Sequence, residues 1–164
     1  MFRINKMVDY ATLILHCLST MPDTQTFFSA KEIAMFTHIA KPTVSKLLKI
    51  LSGEQLVSAK RGVIGGYRLI RSPGKITIAQ ILTAIEGPPA LTECASIKNQ
   101  CAQHETCPVK HNWKMINHFI LTILDKVTLA DMLKPIAISQ LLLSLSHLDS
   151  PSPLISQSQN NAKK

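Results

Sequence analysis

The segment that most constrains the fold is residues 29–70, where two helical patterns precede a glycine-rich hairpin. Ser29-Ala-Lys-Glu32 forms a capping box, in which a hydroxyl and a carboxylate three residues apart satisfy the first free amides of a helix. It predicts a short helix from Ala30 to about Phe36. Pro42 suits the first turn of a second helix, because its missing N–H costs nothing there. Two short helices with a tight connection predict a helix-turn-helix.

The second helix, residues 42–55, combines an apolar face with a polar one. Its inner positions are Val44, Leu47, Leu48 and Leu51. Its outward positions are polar or basic, which is typical of a recognition helix that enters the major groove of DNA. We therefore expect Thr43, Ser45 and Lys46 to contact base edges, with Lys41 and Lys49 as further DNA-binding residues.

A basic hairpin follows this helix and predicts a wing. Residues 56–59 and 67–70 have strand character, and the intervening tip is rich in glycine. Glycines let a backbone approach a phosphate or a minor groove closely. We expect contacts from Lys60, Arg61 and the amides near Gly65 and Gly66. An ordinary surface hairpin is the alternative.

Basic charge is concentrated in the same part of the chain. The net charge is +8, and residues 31–75 hold nine basic residues against two acidic ones. An excess confined to one segment predicts a polyanion partner, here double-stranded DNA, although a solvated surface would carry charge too. The nine basic residues are Lys31, Lys41, Lys46, Lys49, Lys60, Arg61, Arg68, Arg71 and Lys75.

The rest of the chain divides into a loop, a long helix and a tail. Thr77 caps a helix that ends at Gly87. A long helix begins near Pro108 with an apolar seam, which predicts a homodimer; the alternative is that it covers its own domain. The predicted boundaries are a winged helix-turn-helix domain at 1–87, a cysteine-containing loop at 88–107, a dimerisation helix region at 108–133 and a disordered tail at 134–164.

The chain is expected to be cytoplasmic. It has no run of about 18 apolar residues that would span a membrane. Its first residues lack the pattern of a signal peptide. In a reducing compartment, clustered cysteines are more often metal ligands or redox sensors than disulfides.

Three of the four cysteines, Cys94, Cys101 and Cys107, lie in one short segment. Structural zinc favours two close cysteine pairs, whereas iron–sulfur clusters accept wider spacing and tolerate a non-cysteine ligand. The pattern therefore favours a cluster, with the fourth ligand open. His104 and His111 are nearby candidates. The fourth cysteine, Cys17, lies on the apolar face of a predicted helix at residues 7–20 and is expected to be a core residue.

The ordered motifs resemble the iron–sulfur winged-helix regulators typified by IscR and NsrR. The resemblance covers residues 1 to about 133 and rests on DYAT, PTVSKLLK, GGYRL, TEC, NWKMIN and LADML, which are most similar to the regulators of SUF iron–sulfur assembly genes. It implies a homodimer with a 2Fe–2S or 4Fe–4S cluster on Cys94, Cys101 and Cys107. The histidine ligand of the IscR branch is replaced by Lys110, whereas Asp9 stands where the NsrR branch has an aspartate ligand from the other subunit.

The predicted fold is mainly α with a small β-hairpin wing: a winged helix-turn-helix plus a long dimerisation helix. The predicted function is a cluster-sensing transcriptional repressor of SUF-type genes. The alternatives are a nitric-oxide- or redox-sensing repressor, or a zinc-stabilised regulator. The sequence shows no nucleophile–base pair, no phosphate loop and no paired carboxylates, so we expect no enzyme, no small-molecule substrate and no membrane partner.

Overall fold

A computed structural model describes residues 4–21, 26–62, 64–96, 101–103 and 105–134. In chain order its elements are α1 (Lys6–Thr20), α2 (Ala30–Thr37), α3 (Lys41–Gly53), β1 (Val57–Lys60), β2 (Gly66–Leu69), α4 (Ile78–Glu86) and α5 (Lys110–Lys126). This arrangement confirms the predicted fold class. The predicted tail lies outside the described residues from position 135 onward. In the described part of the chain, no helix has the length and apolar character needed to cross a bilayer.

The capping box at the start of α2 is present as predicted. The Ser29 hydroxyl accepts a hydrogen bond from the Glu32 amide at 3.3 Å, and the Glu32 carboxylate accepts one from the Ser29 amide at 2.8 Å. Hydrogen bonding to the Ser29 side chain and then to its backbone lowers the pKa of Glu32, so the carboxylate stays charged at neutral pH. Thr77 caps α4 in the same way, with Gln80 as its partner.

The inner face of α3 forms the centre of the core. Val44, Leu47, Leu48 and Leu51 are completely buried, as the helical pattern predicts. They pack in one cluster with residues of α1, α2 and α4. Burying one such leucine stabilises the fold by about 1.5–3 kcal/mol, so this face holds α3 firmly while its other face stays free.

The wing is an antiparallel hairpin in which Val57 pairs with Leu69 and Lys60 with Gly66. Phe28 adds a bridge to β2: its amide donates to the Tyr67 carbonyl at 3.0 Å, and the Tyr67 amide donates back at 2.8 Å. A Cβ at Gly66 would collide with the Phe28 backbone, and Gly66 has a φ of 155°. This close approach explains the glycine, and the local pattern did not predict it.

The long helix is shorter than predicted, because α5 begins at Lys110 and ends at Lys126. The chain then becomes extended and joins the winged helix. The Ile78 amide donates to the Val127 carbonyl at 2.9 Å, and the Leu129 amide donates to the Ile76 carbonyl at 2.8 Å. Val127 and Leu129 are buried in the core. The helix therefore ends where tertiary burial of these two side chains outweighs further helical hydrogen bonds.

The turn between α2 and α3 contains a strained residue that a substitution can relieve. His38 has φ 54° and ψ 23°, the left-handed region that favours glycine. We expect His38→Gly to raise the free energy of unfolding by about 0.5–1 kcal/mol, because relief of the left-handed strain exceeds the entropic cost of glycine. Urea denaturation measures this change. Met35→Gly, at an exposed position inside α2, should instead lower stability by about 1 kcal/mol. A destabilised His38→Gly protein would show that the turn needs the imidazole.

Candidate DNA-binding surface and metal centre

The recognition surface on α3 is available to a ligand. Lys41, Ser45, Lys46 and Lys49 are exposed, and Thr43 is half-buried beside them. Because the opposite face is anchored in the core, these side chains lie along one outer face of a rigid helix. The structure thus brings together all five α3 residues that the sequence predicts for DNA contact.

The wing adds two further cations. Lys60 and Arg61 are exposed, at the end of β1 and just beyond it. The Lys60 ammonium lies 5.7 Å from the centre of the Phe27 ring, and the Arg68 guanidinium lies 4.9 Å from the same ring. Such cation–π contacts restrict the Lys60 and Arg68 side chains on the hairpin. Sequence reasoning missed Phe27, which carries no motif of its own.

The wing glycines serve the fold more directly than predicted. The Gly65 amide donates to the Gly62 carbonyl at 3.0 Å and so closes the turn. This amide bonds within the turn, and its expected contact with a phosphate stays a prediction. Gly66 is explained by its contact with Phe28. The side chains of Lys60 and Arg61 are therefore the stronger DNA-binding candidates in the wing.

The cysteine segment joins α4 to α5 and holds its three cysteines differently. Cys94 lies in a 3-10 turn, Glu93–Ala95, and is 7% exposed. Its sulfur is 3.2 Å from the Thr92 hydroxyl oxygen. Cys101 and Cys107 are half-buried. All three are free thiols, so none is consumed by a disulfide.

Three thiols are donors that fit an iron–sulfur cluster, but the described residues do not bring three candidate ligands together. Within the described residues, no three His, Cys, Asp or Glu side chains are grouped so that they could hold a metal ion. Three free thiols on one connection could ligate iron if Cys101 and Cys107 approach Cys94. Cys17 is buried in α1, and burial raises the pKa of its thiol, which disfavours the thiolate that a metal needs.

The candidate fourth ligands lie apart from one another. Asp9 is exposed in the first turn of α1, a position that the helix dipole favours for a carboxylate. His111 is exposed at the start of α5. His104 lies outside the described residues. Because Asp9 and His111 both face outward, either is accessible to a second subunit.

Asn117 is a residue of this region that sequence reasoning missed. It is 8% exposed, and it is the buried polar residue of the described core. Its side-chain oxygen accepts a hydrogen bond from the Leu91 amide at 2.9 Å, which ties the cysteine segment to α5. The sequence signal that could have identified Asn117 is an asparagine within an otherwise apolar helical pattern.

The N-terminal half of α5 exposes a large apolar face. The exposed side chains are Trp113, Met115, Ile116 and Phe119, each between 41% and 53% accessible. The predicted apolar seam runs from Trp113 through Ile116 to Val127, and it divides in two. Trp113 and Ile116 are uncovered, whereas Val127 packs into the core. Uncovered aromatic and aliphatic groups in a contiguous stretch are typical of an interaction surface.

The recognition helix, the wing and their exposed cations define a winged helix-turn-helix transcriptional regulator. The Rrf2 family profile, described as an iron-dependent transcriptional regulator, matches residues 4–135. The chain belongs to the Rrf2 family. Its relatives are transcriptional regulators and not enzymes, which confirms that prediction.

Individual relatives agree with this family. An HTH-type transcriptional regulator of Synechocystis is 32% identical over 123 residues, which are 75% of this chain and 82% of the relative. NsrR of Geobacillus kaustophilus is 28% identical over 133 residues, covering 80% of this chain and 90% of that one. Among solved structures, IscR of T. potens is 26% identical with a TM-score of 0.60, covering 85% of this chain and 91% of that one.

A second solved structure of similar fold belongs to a regulator with a different description. CymR of B. subtilis, described as the global cysteine regulator of that organism, is 25% identical with a TM-score of 0.61. It covers 80% of this chain and 96% of its own. The resemblance to IscR and NsrR is therefore supported, and the same architecture also carries a regulator whose description names cysteine.

Proposed function

We propose that this chain is a homodimeric, cytoplasmic repressor whose affinity for promoter DNA depends on an iron–sulfur cluster, and that its targets are SUF-type iron–sulfur assembly genes. Cys94, Cys101 and Cys107 would hold the cluster, with Asp9 of the partner subunit as the fourth ligand. The cluster would thus link the two subunits, and this link would form only when the cell can supply iron–sulfur clusters. Our choice of target genes rests on the sequence resemblance.

The observation that carries this proposal is the set of three free thiols on the single connection between α4 and α5 in an Rrf2 chain. Structural zinc sites typically use two close cysteine pairs, which this segment does not contain. A structural role for all three cysteines is less consistent with their burial, because Cys101 and Cys107 are only half-buried. A ligand that recruits thiols explains why they are kept near the surface.

The exposed face of α5 supports the homodimer. Trp113, Ile116 and Phe119 would be buried if two α5 helices packed together. A twofold dimer would present two recognition helices to successive major grooves, which suits a symmetric operator. Lys41, Thr43, Ser45, Lys46 and Lys49 would then approach bases or phosphates, with Lys60, Arg61 and the backbone near Gly65 and Gly66 at the flanks.

Two contacts could pass a change at the cysteine segment to the winged helix. Asn117 holds Leu91 at the middle of α5, and the Thr77 hydroxyl donates to the Asp125 carboxylate at 3.1 Å near the C-terminal end of that helix. Thr77 caps α4. A coupling of about 1–3 kcal/mol along this route would change DNA affinity by about 5–150-fold.

Anaerobic purification of the full chain tests the proposal. Iron, sulfide and zinc would be counted per chain, an absorption spectrum recorded and the mass determined by light scattering. A dimer with visible charge-transfer bands and matching iron and sulfide is expected, and it should bind SUF-type promoter DNA. A colourless protein that contains zinc would contradict the cluster while leaving a DNA-binding regulator.

A nitric-oxide-sensing repressor is the second candidate. It is favoured by Asp9, which stands where NsrR-type proteins have their ligand, and by the similarity to NsrR of Geobacillus kaustophilus. Release from promoters of nitric oxide detoxification genes on nitrosylation would select this reading. Binding confined to iron–sulfur assembly promoters would reject it.

Replacing Asp9 with alanine tests the fourth ligand. We expect the cluster to be released to a chelator at least about tenfold faster, because losing even a residue that supports a ligand costs about 10–100-fold in metal affinity. The exposed position of Asp9 predicts an unchanged fold. His111→Ala is the matched comparison and should leave the cluster lifetime unchanged. If the two variants behave the other way round, His111 is the ligand.

A further inference from the structure

We infer that Asn117 is a positioning residue that holds Cys94 in place, as a ligand of the cluster site, before the metal arrives. This inference rests on the proposed function and deepens it. It gives Cys94 a role that the half-buried Cys101 and Cys107 do not share.

The first observation is the contact between α5 and the cysteine segment. The Asn117 side chain is buried, and its oxygen accepts a hydrogen bond from the Leu91 amide at 2.9 Å. A polar group is rarely buried without such a partner, because its desolvation is costly. Leu91 is three residues before Cys94, so this bond fixes the backbone just ahead of the thiol.

The second observation concerns the residues just before this point. Pro88 and Pro89 precede Leu91 and have no amide hydrogen to donate. Their fixed φ angles make the approach stiff. The Leu91 amide is therefore the donor through which α5 fixes the chain as it enters the turn that carries Cys94, and Asn117 provides the acceptor.

The third observation is the difference between the cysteines. Cys94 is 7% exposed, and its sulfur lies 3.2 Å from the Thr92 hydroxyl oxygen. Cys101 and Cys107 are half-buried on the part of the segment that follows. When ligand groups are spread along a loop, a preformed anchor lowers the entropy lost on binding. Cys94 has the burial and the hydrogen bond expected of that anchor.

Asn117→Leu tests this role, with Asn117→Asp as the rescue variant and Asn112→Leu as the matched control. Leucine is similar in size but cannot accept the Leu91 hydrogen bond, whereas aspartate can. Asn112 is exposed on the same helix. In the metal-free protein, iodoacetamide labelling with peptide mass spectrometry would report the reactivity of each cysteine. In the anaerobically purified protein, absorption would follow cluster release to a chelator.

We expect Asn117→Leu to speed labelling of Cys94 about tenfold, the factor that corresponds to losing one hydrogen bond that holds a buried group. Labelling of buried Cys17 should not change, which separates local release from general unfolding. Cluster release should also become about tenfold faster, with iron still bound initially. Asn112→Leu should match the wild type in both measurements. Asn117→Asp should be closer to the wild type than Asn117→Leu, because it keeps the acceptor although it buries a charge.

The two hypotheses fail in different ways. A wild-type protein without iron and sulfide would overturn the proposed function and, with it, the ligand role of Cys94. A full wild-type cluster with unchanged labelling and release in Asn117→Leu would overturn the inference alone. Faster labelling of Cys17 together with Cys94 would also overturn it, because Asn117 would then stabilise the fold and not one ligand.

Discussion

Replacing Lys46 and Arg61 together with alanine is expected to lower the affinity for promoter DNA by about 30- to 20,000-fold, because each lost contact costs about 1–3 kcal/mol. Both side chains are exposed, one on the recognition helix and one in the wing. Neither contributes to the core, so the fold and the cysteine site should be unaffected. Fluorescence anisotropy over a range of salt concentrations measures the loss. The slope of log affinity against log salt concentration should become less steep by about 1, because Arg61 is the expected phosphate contact of the two residues.

The matched control removes two positive charges from another surface. Lys114 and Lys126 are exposed on α5, away from the recognition helix. Their double alanine variant has the same net charge as Lys46→Ala with Arg61→Ala, and we expect it to lose much less affinity. If both double variants bind equally weakly, total charge governs DNA binding and the recognition surface is wrongly assigned.

Replacing Cys107 with alanine is expected to abolish stable cluster binding. Loss of a direct ligand should weaken binding by more than the roughly 10–100-fold that supporting residues contribute. Cys107 is a better test than Cys94, because it is only half-buried and its loss should disturb packing less. The measurement is iron and sulfide per chain after anaerobic purification, together with the visible spectrum.

Cys17→Ala is the control for this experiment. Cys17 is a core residue buried in α1, and this burial raises the pKa of its thiol. This variant should keep the full cluster, with at most about 1 kcal/mol lost in stability. Loss of colour in Cys17→Ala, or full colour in Cys107→Ala, would contradict the proposed ligand set.

The sequence predicted the winged helix well because its signals are local. The capping box at Ser29, the proline at the start of α3 and the alternation of apolar and polar positions each act within one or two helical turns. All four predicted inner residues of α3 are buried. The hairpin followed from strand propensity on both sides of a glycine-rich tip.

The candidate site was predicted less completely, because its contacts join residues far apart in sequence. The hydrogen bond from the Leu91 amide to Asn117 spans 26 residues, and no local sequence pattern predicts it. The apolar seam of α5 was recognised, but not that its end belongs to the core of the same subunit. The close approach of the Phe28 backbone to Gly66 also joins distant residues, and the sequence did not predict it.

The sequence by itself determined the helix-turn-helix, the wing, the basic surface and the grouping of three cysteines. Capping, periodicity and charge are properties of neighbouring residues, so they can be read without a fold. Only the tertiary structure decided where α5 ends, which half of its seam is exposed and which of the three clustered cysteines is buried. Those outcomes depend on competition for the core: Val127 and Leu129 gain more by burial than by continuing a helix, and Asn117 is buried with a hydrogen-bond partner that comes from a distant turn.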